Sequence, residues 1–214
     1  MLASLKNKNN VMPSISYAIT ACNEHVELER LLNQLSSSIR DEDEIIVQMD
    51  TTATDEVAAV VNKYNLIKYY YSLNSDFATF KNNLSSLCTK DYIFQIDADE
   101  YPHPELIPLL PSILEANDDT DVFLVPRINT VEGLTEQHIK QWGWNVDHHN
   151  RVNFPDYQWR VWRNVPTIKW INKVHERLDG FGLYTNFPPL EEMCLYHPKD
   201  IKRQEKQNAF YGQI

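Results

Sequence analysis

An α/β protein with a mainly parallel sheet flanked by helices, and a region of mixed strands towards the C-terminus, is the fold the sequence predicts. Three observations predict it. Four short apolar runs, rich in β-branched and aromatic residues, each close on polar or acidic residues. Stretches with apolar residues at helical spacing separate them. The resulting alternation, β-α-β-α-β-α-β, supplies the long crossovers that parallel pairing needs.

Residues 1–12, polar and rich in Asn and Lys, read as a flexible leader, and residues 13–214 as one domain. Ser14 to Thr20 alternate and end in small residues, as a strand does. Leu28, Leu31, Leu32, Leu35 and Ile39 then mark one face of a helix. Glu44 to Met49 is a second buried strand, closed by Asp50. Thr54-Asp55-Glu56 signals a helix start with Asp55 as the cap, and Val57, Val60, Val61 and Tyr64 continue at helical spacing. Leu66 to Leu73 is a third strand, and Phe77, Phe80, Leu84 and Leu87 mark a third helix. Asp91 to Ile96 is the fourth strand, stopped by Tyr101-Pro102-His103-Pro104 because proline cannot extend a ladder. Pro104 to Asn117 reads as a helix interrupted by Pro108 and Pro111, and Asp121 to Pro126 as another strand. Arg127 to Asn153 has little periodicity. Tyr157–Arg163 and Ile168–Val174 read as a hairpin across 164–167, Met193–Tyr196 as a last strand, and Lys199–Tyr211 as a polar helix.

Composition narrows the function. The chain has 214 residues and a net charge of −10, which works against gripping a polyanion. Three widely separated cysteines make neither a disulfide framework nor a paired metal motif, and a reducing compartment suits them. Lys6 and Lys8 are not followed by an apolar core, so no signal peptide is expected, and no apolar run approaches a membrane span. A cytoplasmic location follows as the expectation. With only 5 glycines, no glycine-rich phosphate loop exists.

Open α/β sheets bind ligands at the carboxyl ends of their strands. Here those ends carry Thr20, Ala21, Asn23 and Glu24, then Asp50, then Asp97, Ala98, Asp99 and Glu100, with Lys81 on the third helix nearby. Three carboxylates within four residues repel one another unless a cation or hydrogen-bond donors compensate them. Magnesium or manganese prefers such oxygen ligands and usually shares them with a substrate phosphate. A solvated acidic loop is the plainer alternative.

At this point the chain resembles the family 2 glycosyltransferases of the GT-A fold. Ser16 to Glu24 is similar to their opening strand and turn, Asp50 to Asp55 to their aspartate-rich second turn, and Asp97-Ala98-Asp99 to their metal-binding Asp-x-Asp. The resemblance continues through Tyr157 to Arg163, Val174-His175-Glu176 and Tyr196-His197-Pro198-Lys199. It implies a nucleotide-sugar-binding half, 13–125, and an acceptor-side half, 126–214. It implies a transferase that moves a sugar from a nucleotide-diphosphate sugar to an acceptor hydroxyl, inverting the anomeric centre, with Mn2+ or Mg2+ on the diphosphate. Thr20, Ala21, Asn23, Glu24, Asp50, Lys81, Asp97 and Ala98 would then bind the donor, and Asp97, Asp99 and His175 the metal, with His197 the second histidine candidate. Glu176 is the first candidate base and Asp156 the second, because the usual Glu-Asp pair of the acceptor region is missing. Trp142, Trp144, Arg160 and His197 are candidates for the acceptor or sugar.

The acceptor expected on this resemblance is a glycan, a lipid-linked chain or another hydroxyl compound, and a modified nucleic-acid base is the lesser expectation. A nucleotidyltransferase would need a glycine- and arginine-rich loop where Ala21-Cys22-Asn23-Glu24 stands. A non-catalytic nucleotide- or sugar-binding module on the same fold is the other alternative, against which both Asp-x-Asp aspartates are present.

Overall fold

The structure, a computed structural model, describes residues 12–211, with side chains described to Asn208. Apart from Met12, the expected leader lies outside the described residues.

In chain order the elements are β1 (Ile15–Ala21), α1 (His25–Ser38), β2 (Glu44–Asp50), α2 (Asp55–Val61), β3 (Ile67–Tyr71), α3 (Phe77–Leu87), β4 (Tyr92–Asp97), β5 (Tyr101–Pro102), α4 (Leu106–Ala116) and β6 (Val122–Glu132). They continue with α5 (Glu136–Trp142), β7 (Val152–Arg163), β8 (Lys169–Ile171), β9 (Arg177–Asp179), β10 (Tyr184–Asn186), β11 (Leu195–Asp200) and α6 (Ile201–Tyr211). The main sheet has the order β3-β2-β1-β4-β7-β6-β11-β5, with β10 also on β6.

The β1–β2, β1–β4 and β2–β3 pairs are parallel. β7 runs antiparallel to both β4 and β6, so β6 again points the same way as β4. β11 is parallel to β6, and only the two-residue β5 reverses beyond it. The carboxyl ends of β1, β2, β4, β6 and β11 therefore share one sheet edge, as the crossover rule requires for the first three.

Alternation along β1 explains the two layers. Ile15, Tyr17 and Ile19 point to one face, where α1, α2 and α4 close the larger core. Leu28, Leu31, Leu32 and Leu35 of α1 are fully buried there, worth about 2 kcal/mol each in transfer terms. Ala18 points to the opposite face, with Ala78 and Leu84 of α3, Trp162 and Trp170.

Several expectations are corrected. Thr54, not Asp55, caps α2, accepting from the Val57 N–H, because only the residue before the first helical turn can reach that donor. α4 is one helix from Leu106 to Ala116. Pro108 falls in the first turn, where no intrahelical N–H is needed, and Pro111 packs into the core. The segment 127–153 holds the end of β6, α5 and a loop. β7 and β8 are not a hairpin. β7 is drawn between β4 and β6, and β8 pairs with β9. The connection is anchored elsewhere, since the Asn164 amide donates to the Cys88 and Lys90 carbonyls. The last strand begins at Leu195, after a short 3-10 turn at Glu191–Met193. No helix among the described residues is long and apolar enough to cross a membrane.

Candidate functional site

The site forms where the chain leaves β4. That strand lies between β1 and β7, but β5, a few residues on, pairs with β11 at the far edge. Residues 98–100 form the tight turn that bridges from β4 towards β5. The bridge is tied at its start by the Ala98 N–H to the Thr20 carbonyl (3.1 Å) and tightened by the Glu100 N–H to the Asp97 carbonyl (2.9 Å). It carries Asp99 to the third residue of β11, His197.

Beneath the bridge lies a buried charge cluster. Arg160 of β7 donates through one terminal nitrogen to Asp97 (2.6 Å) and Glu100 (2.7 Å). Arg127 of β6 donates to the same Glu100 oxygen (2.7 Å) and, through two nitrogens, to Asp156 (2.9 and 2.7 Å). Asp97 also accepts from Thr20 (3.1 Å) and Gln95 (2.8 Å). Burial opposes the Asp97 charge, but Arg160, then Lys81 and Arg127, hold its carboxyl well below the usual range. The Arg160 Nε is buried and has no hydrogen-bond partner among the described residues.

Asp99 sits above this floor. Its Oδ2 meets His197 Nε2 at 3.0 Å and a terminal nitrogen of Arg203 at 3.1 Å. On the other side of the imidazole, Nδ1 faces Asn129 Oδ1 at 2.8 Å. Since an amide oxygen only accepts, Nδ1 carries a proton and Nε2 is the atom turned to Asp99. A carboxylate oxygen and Nε2 at this distance need an N–H or a cation between them. Burial opposes the Asp99 charge as well, yet His197 and Arg203 hold its carboxyl down at about 2. Arg203 also reaches Glu27 (2.9 Å) and Glu24 (3.8 Å).

Asp50, at the end of β2, is spoken for locally. Its carboxylate accepts from the Thr52 N–H (2.7 Å), the Thr52 hydroxyl and the Leu73 N–H (2.7 Å). Burial opposes its charge, and these donors lower its carboxyl below the usual range. Glu24 turns back to accept from the Cys22 and Asn23 N–H groups (both 2.9 Å), which shapes the β1–α1 turn. Ala21 is buried and Asn23 is exposed.

Lys81 of α3 pairs with Glu176 at 2.6 Å and lies 4.5 Å from the centre of the Trp170 ring. Glu176 follows a turn in which Asn172 and His175 adopt positive φ (71° and 55°), a region non-glycine residues enter at a cost. That turn is fastened to the start of α3 by the Phe77 N–H to the Lys173 carbonyl (3.0 Å).

A cavity of about 740 Å³ opens on the far side of Asp99 from Asp50, against the ends of β6 and β11 and the start of α6; Glu27, Glu132, His149, Lys199 and Arg203 are among its walls. Burial pushes the Lys199 ammonium down to about 8, and Gln207 accepts from it (2.5 Å). Ile139 of α5 also lines this cavity, and Trp142 ends the same helix. Gly143, at φ 66°, turns the chain so that Trp144 packs against Trp142, with ring centres 4.7 Å apart.

The structure thus brings together Thr20, Asp97, Asp99, His197 and Arg160, and sets Lys81 against Glu176. It places His197, not His175, beside Asp99. His175 lies on the exposed 172–176 turn. Arg160 is 2% exposed and lies in the buried cluster, not on an open acceptor surface. Asp156 has its two oxygens filled by Arg127, Asn129 and Gln158, and these hold its carboxyl low against the opposing effect of burial. Arg203, Glu27, Arg127 and Asn129 were not singled out from the sequence. Among the described residues, no group of three or more His, Cys, Asp or Glu is arranged to hold a metal ion. Asp99 and His197 supply two ligand atoms, and magnesium or manganese commonly takes one or two side chains and completes its shell with substrate phosphates and water. The pair fits such an ion on those terms.

Comparison with known proteins identifies the fold. S. aureus TarS 1-349 is similar at 16% identity with a TM-score of 0.59, over 86% of this chain and 60% of that one. Its complex with UDP gives 16% and 0.60 over the same shares. Its complex with UDP-GlcNAc gives 17% and 0.60, over 87% of this chain and 58% of that one. The chain thus spans about three fifths of the TarS fragment it matches, and the likeness establishes a shared fold. The model of the family described as Glycosyl transferase family 2 matches residues 16–181, well over half of the sequence, and the chain belongs to that family.

Proposed function

We propose that the protein transfers a sugar from a nucleoside-diphosphate sugar to an acceptor hydroxyl, with the donor lying along the strand ends from Asp50 to Asp99. The observation that carries this reading is the meeting of Asp99 with His197 at the sheet edge, in a chain of this family. Because TarS, of the same fold, has been crystallised with UDP and UDP-GlcNAc, uridine nucleotides are the donors to test first.

In this reading Asp99 and His197 hold the divalent ion, in place of the Asp97, Asp99 and His175 set implied by the motif. When bound, Mn2+ or Mg2+ neutralises the charge that develops on the departing diphosphate. Asp97 anchors the end of β4 through Arg160 and Thr20, and so fixes where Asp99 stands. Asn129 fixes the imidazole so that Nε2 faces the ion, a supporting contact of the kind that orients metal-binding histidines. Asp50, with its carboxylate set by Thr52 and Leu73, lines the nucleoside end, while Thr20, Ala21, Asn23, Glu24 and Ala98 form the turn and bridge around it.

Glu176 is the base we assign. Lys81 orients its carboxylate, and the positive-φ turn presents it. It takes the proton of the acceptor hydroxyl as that oxygen attacks the anomeric carbon, and one such displacement inverts the centre. Asp156, already saturated by donors, serves the buried cluster instead. The acceptor enters from the cavity lined by Lys199 and His149, and Trp142, packed on Trp144, lines a separate groove with His138 and Glu205, where it offers a stacking surface.

A transfer assay on two variants tests the reading. Asp99→Asn should lower kcat by at least about a hundredfold in a folded protein. Glu176→Gln should bind the nucleotide normally yet lose transfer. Near-normal turnover in Asp99→Asn would remove the ion from this position, and normal transfer by Glu176→Gln would place the base elsewhere.

A further inference from the structure

We propose that Arg203 is a built-in competitor of the divalent cation at Asp99, and that α6 loosens when the metal and donor enter. The proposal rests on the assignment of Asp99 and His197 to the metal.

One guanidinium here faces three carboxylates from three separate pieces of chain. It donates to Asp99 on the bridge after β4 and to Glu27 of α1, and it lies 3.8 Å from Glu24 in the β1–α1 turn. That is the electrostatic position of a metal ion, filled by a side chain that keeps its charge at any working pH. The Asp99 oxygen that Arg203 uses, Oδ2, is the same oxygen that faces His197. An ion held between Asp99 and His197 needs that oxygen, so it has to take the place of Arg203.

The element that carries Arg203 is built to yield. Arg203 sits in the first turn of α6, where its N–H donates to Asp200 (2.9 Å). From Ile201 to Asn208 the only apolar residue is Ile201. Among the described residues, Ile201 lies against Gly133, and Lys199 with Gln207 and Glu205 with His138 at 3.6 Å add polar contacts that seat this stretch. Polar, partly exposed contacts of this kind exchange with little net cost. Once released, the guanidinium stands beside the position of the donor diphosphate, whose oxygens accept the same paired N–H donors. Metal and nucleotide would then reinforce each other's binding, because the second ligand gives the displaced arginine a partner.

The test measures Mn2+ binding to the full 214-residue chain by calorimetry, without any activity readout, and backbone amide exchange over residues 201–208. Arg203→Gln should bind Mn2+ about tenfold more tightly than wild type, the size of one lost charge-assisted contact. Arg203→Lys, which keeps the charge but not the forked reach, should fall between them. Mn2+ should speed exchange in α6 of the wild type. Equal or weaker Mn2+ binding in both variants would overturn the competition, and α6 amides that Mn2+ leaves unmoved would overturn the loosening. Absence of Mn2+ binding in wild type and variants alike would overturn this proposal together with the metal assignment, whereas equal binding in all three proteins removes the competition alone.

Discussion

Asp97 and Asp99 stand two residues apart and each meets an arginine, yet the two arginines sit in different surroundings. The Arg160 side chain is 3% exposed and is enclosed by Asp97 and Glu100 from below the bridge. The Arg203 side chain is 30% exposed and belongs to a polar helix at the rim. In the floor, Arg160 and Glu100 are both out of water, so neither can leave without exposing the other to an apolar surrounding. At the rim, water and a second cation can replace the arginine. The difference matches the proposed division of tasks between the two aspartates of one motif, Asp97 holding the end of β4 and Asp99 meeting the ligand.

Substitution of the two arginines should separate these tasks most sharply. Arg160→Met takes from the fully buried Glu100 one of its two arginine partners and should cost about 3–5 kcal/mol in denaturant unfolding. Arg203→Gln should change stability by less than about 1 kcal/mol. Equal losses at the two positions would erase the distinction between floor and rim.

Acid titration gives a smaller effect in the same direction. The folded Asp99 carboxyl is depressed to about 2, below its ordinary value near 3.8. Its contribution is therefore complete above about pH 4 and is lost as pH falls through about 2. The amount is about 2 kcal/mol. The Asp97 carboxyl is held lower still, so Asp97 should keep its charge when Asp99 has lost its own. Stability curves of wild type and Asp99→Asn should converge between pH 4 and 2, and parallel curves across that range would contradict the assignment.

Much of this was legible in the sequence, and the reasons are local. β1 to β4 announce themselves because each apolar run is short, is followed by a helix at clear spacing, and stops on polar residues. Parallel order then forces Thr20, Asp50 and Asp97 to one edge. The second half resisted for a physical reason. β7 pairs with β4 and β6, which lie well before it in the chain, and nothing near Tyr157 or Arg163 records those partners. The apparent hairpin with β8 was the closest local explanation of two adjacent strand-like runs. His197 and His175 looked alike because both follow short β-like segments, and only the reach of the bridge from β4 to β5 tells them apart. Arg160 read as a candidate for the acceptor or sugar because burial of an arginine depends on Glu100 and Asp97 arriving from another strand. Arg203, on a helix with charges all round, carried no periodic signal that marked its inward turn.

The most direct measurement is thermal unfolding of wild type and Asp99→Asn with UDP and UDP-sugars, each with Mn2+, Mg2+ or EDTA. The account predicts that a nucleotide raises the Tm of the wild type in the presence of metal, by the few kcal/mol that ligand in large excess supplies. The rise should vanish with EDTA and in Asp99→Asn. A folded wild type that no nucleotide stabilises, or one stabilised equally with EDTA, would contradict a metal-assisted donor site at Asp99.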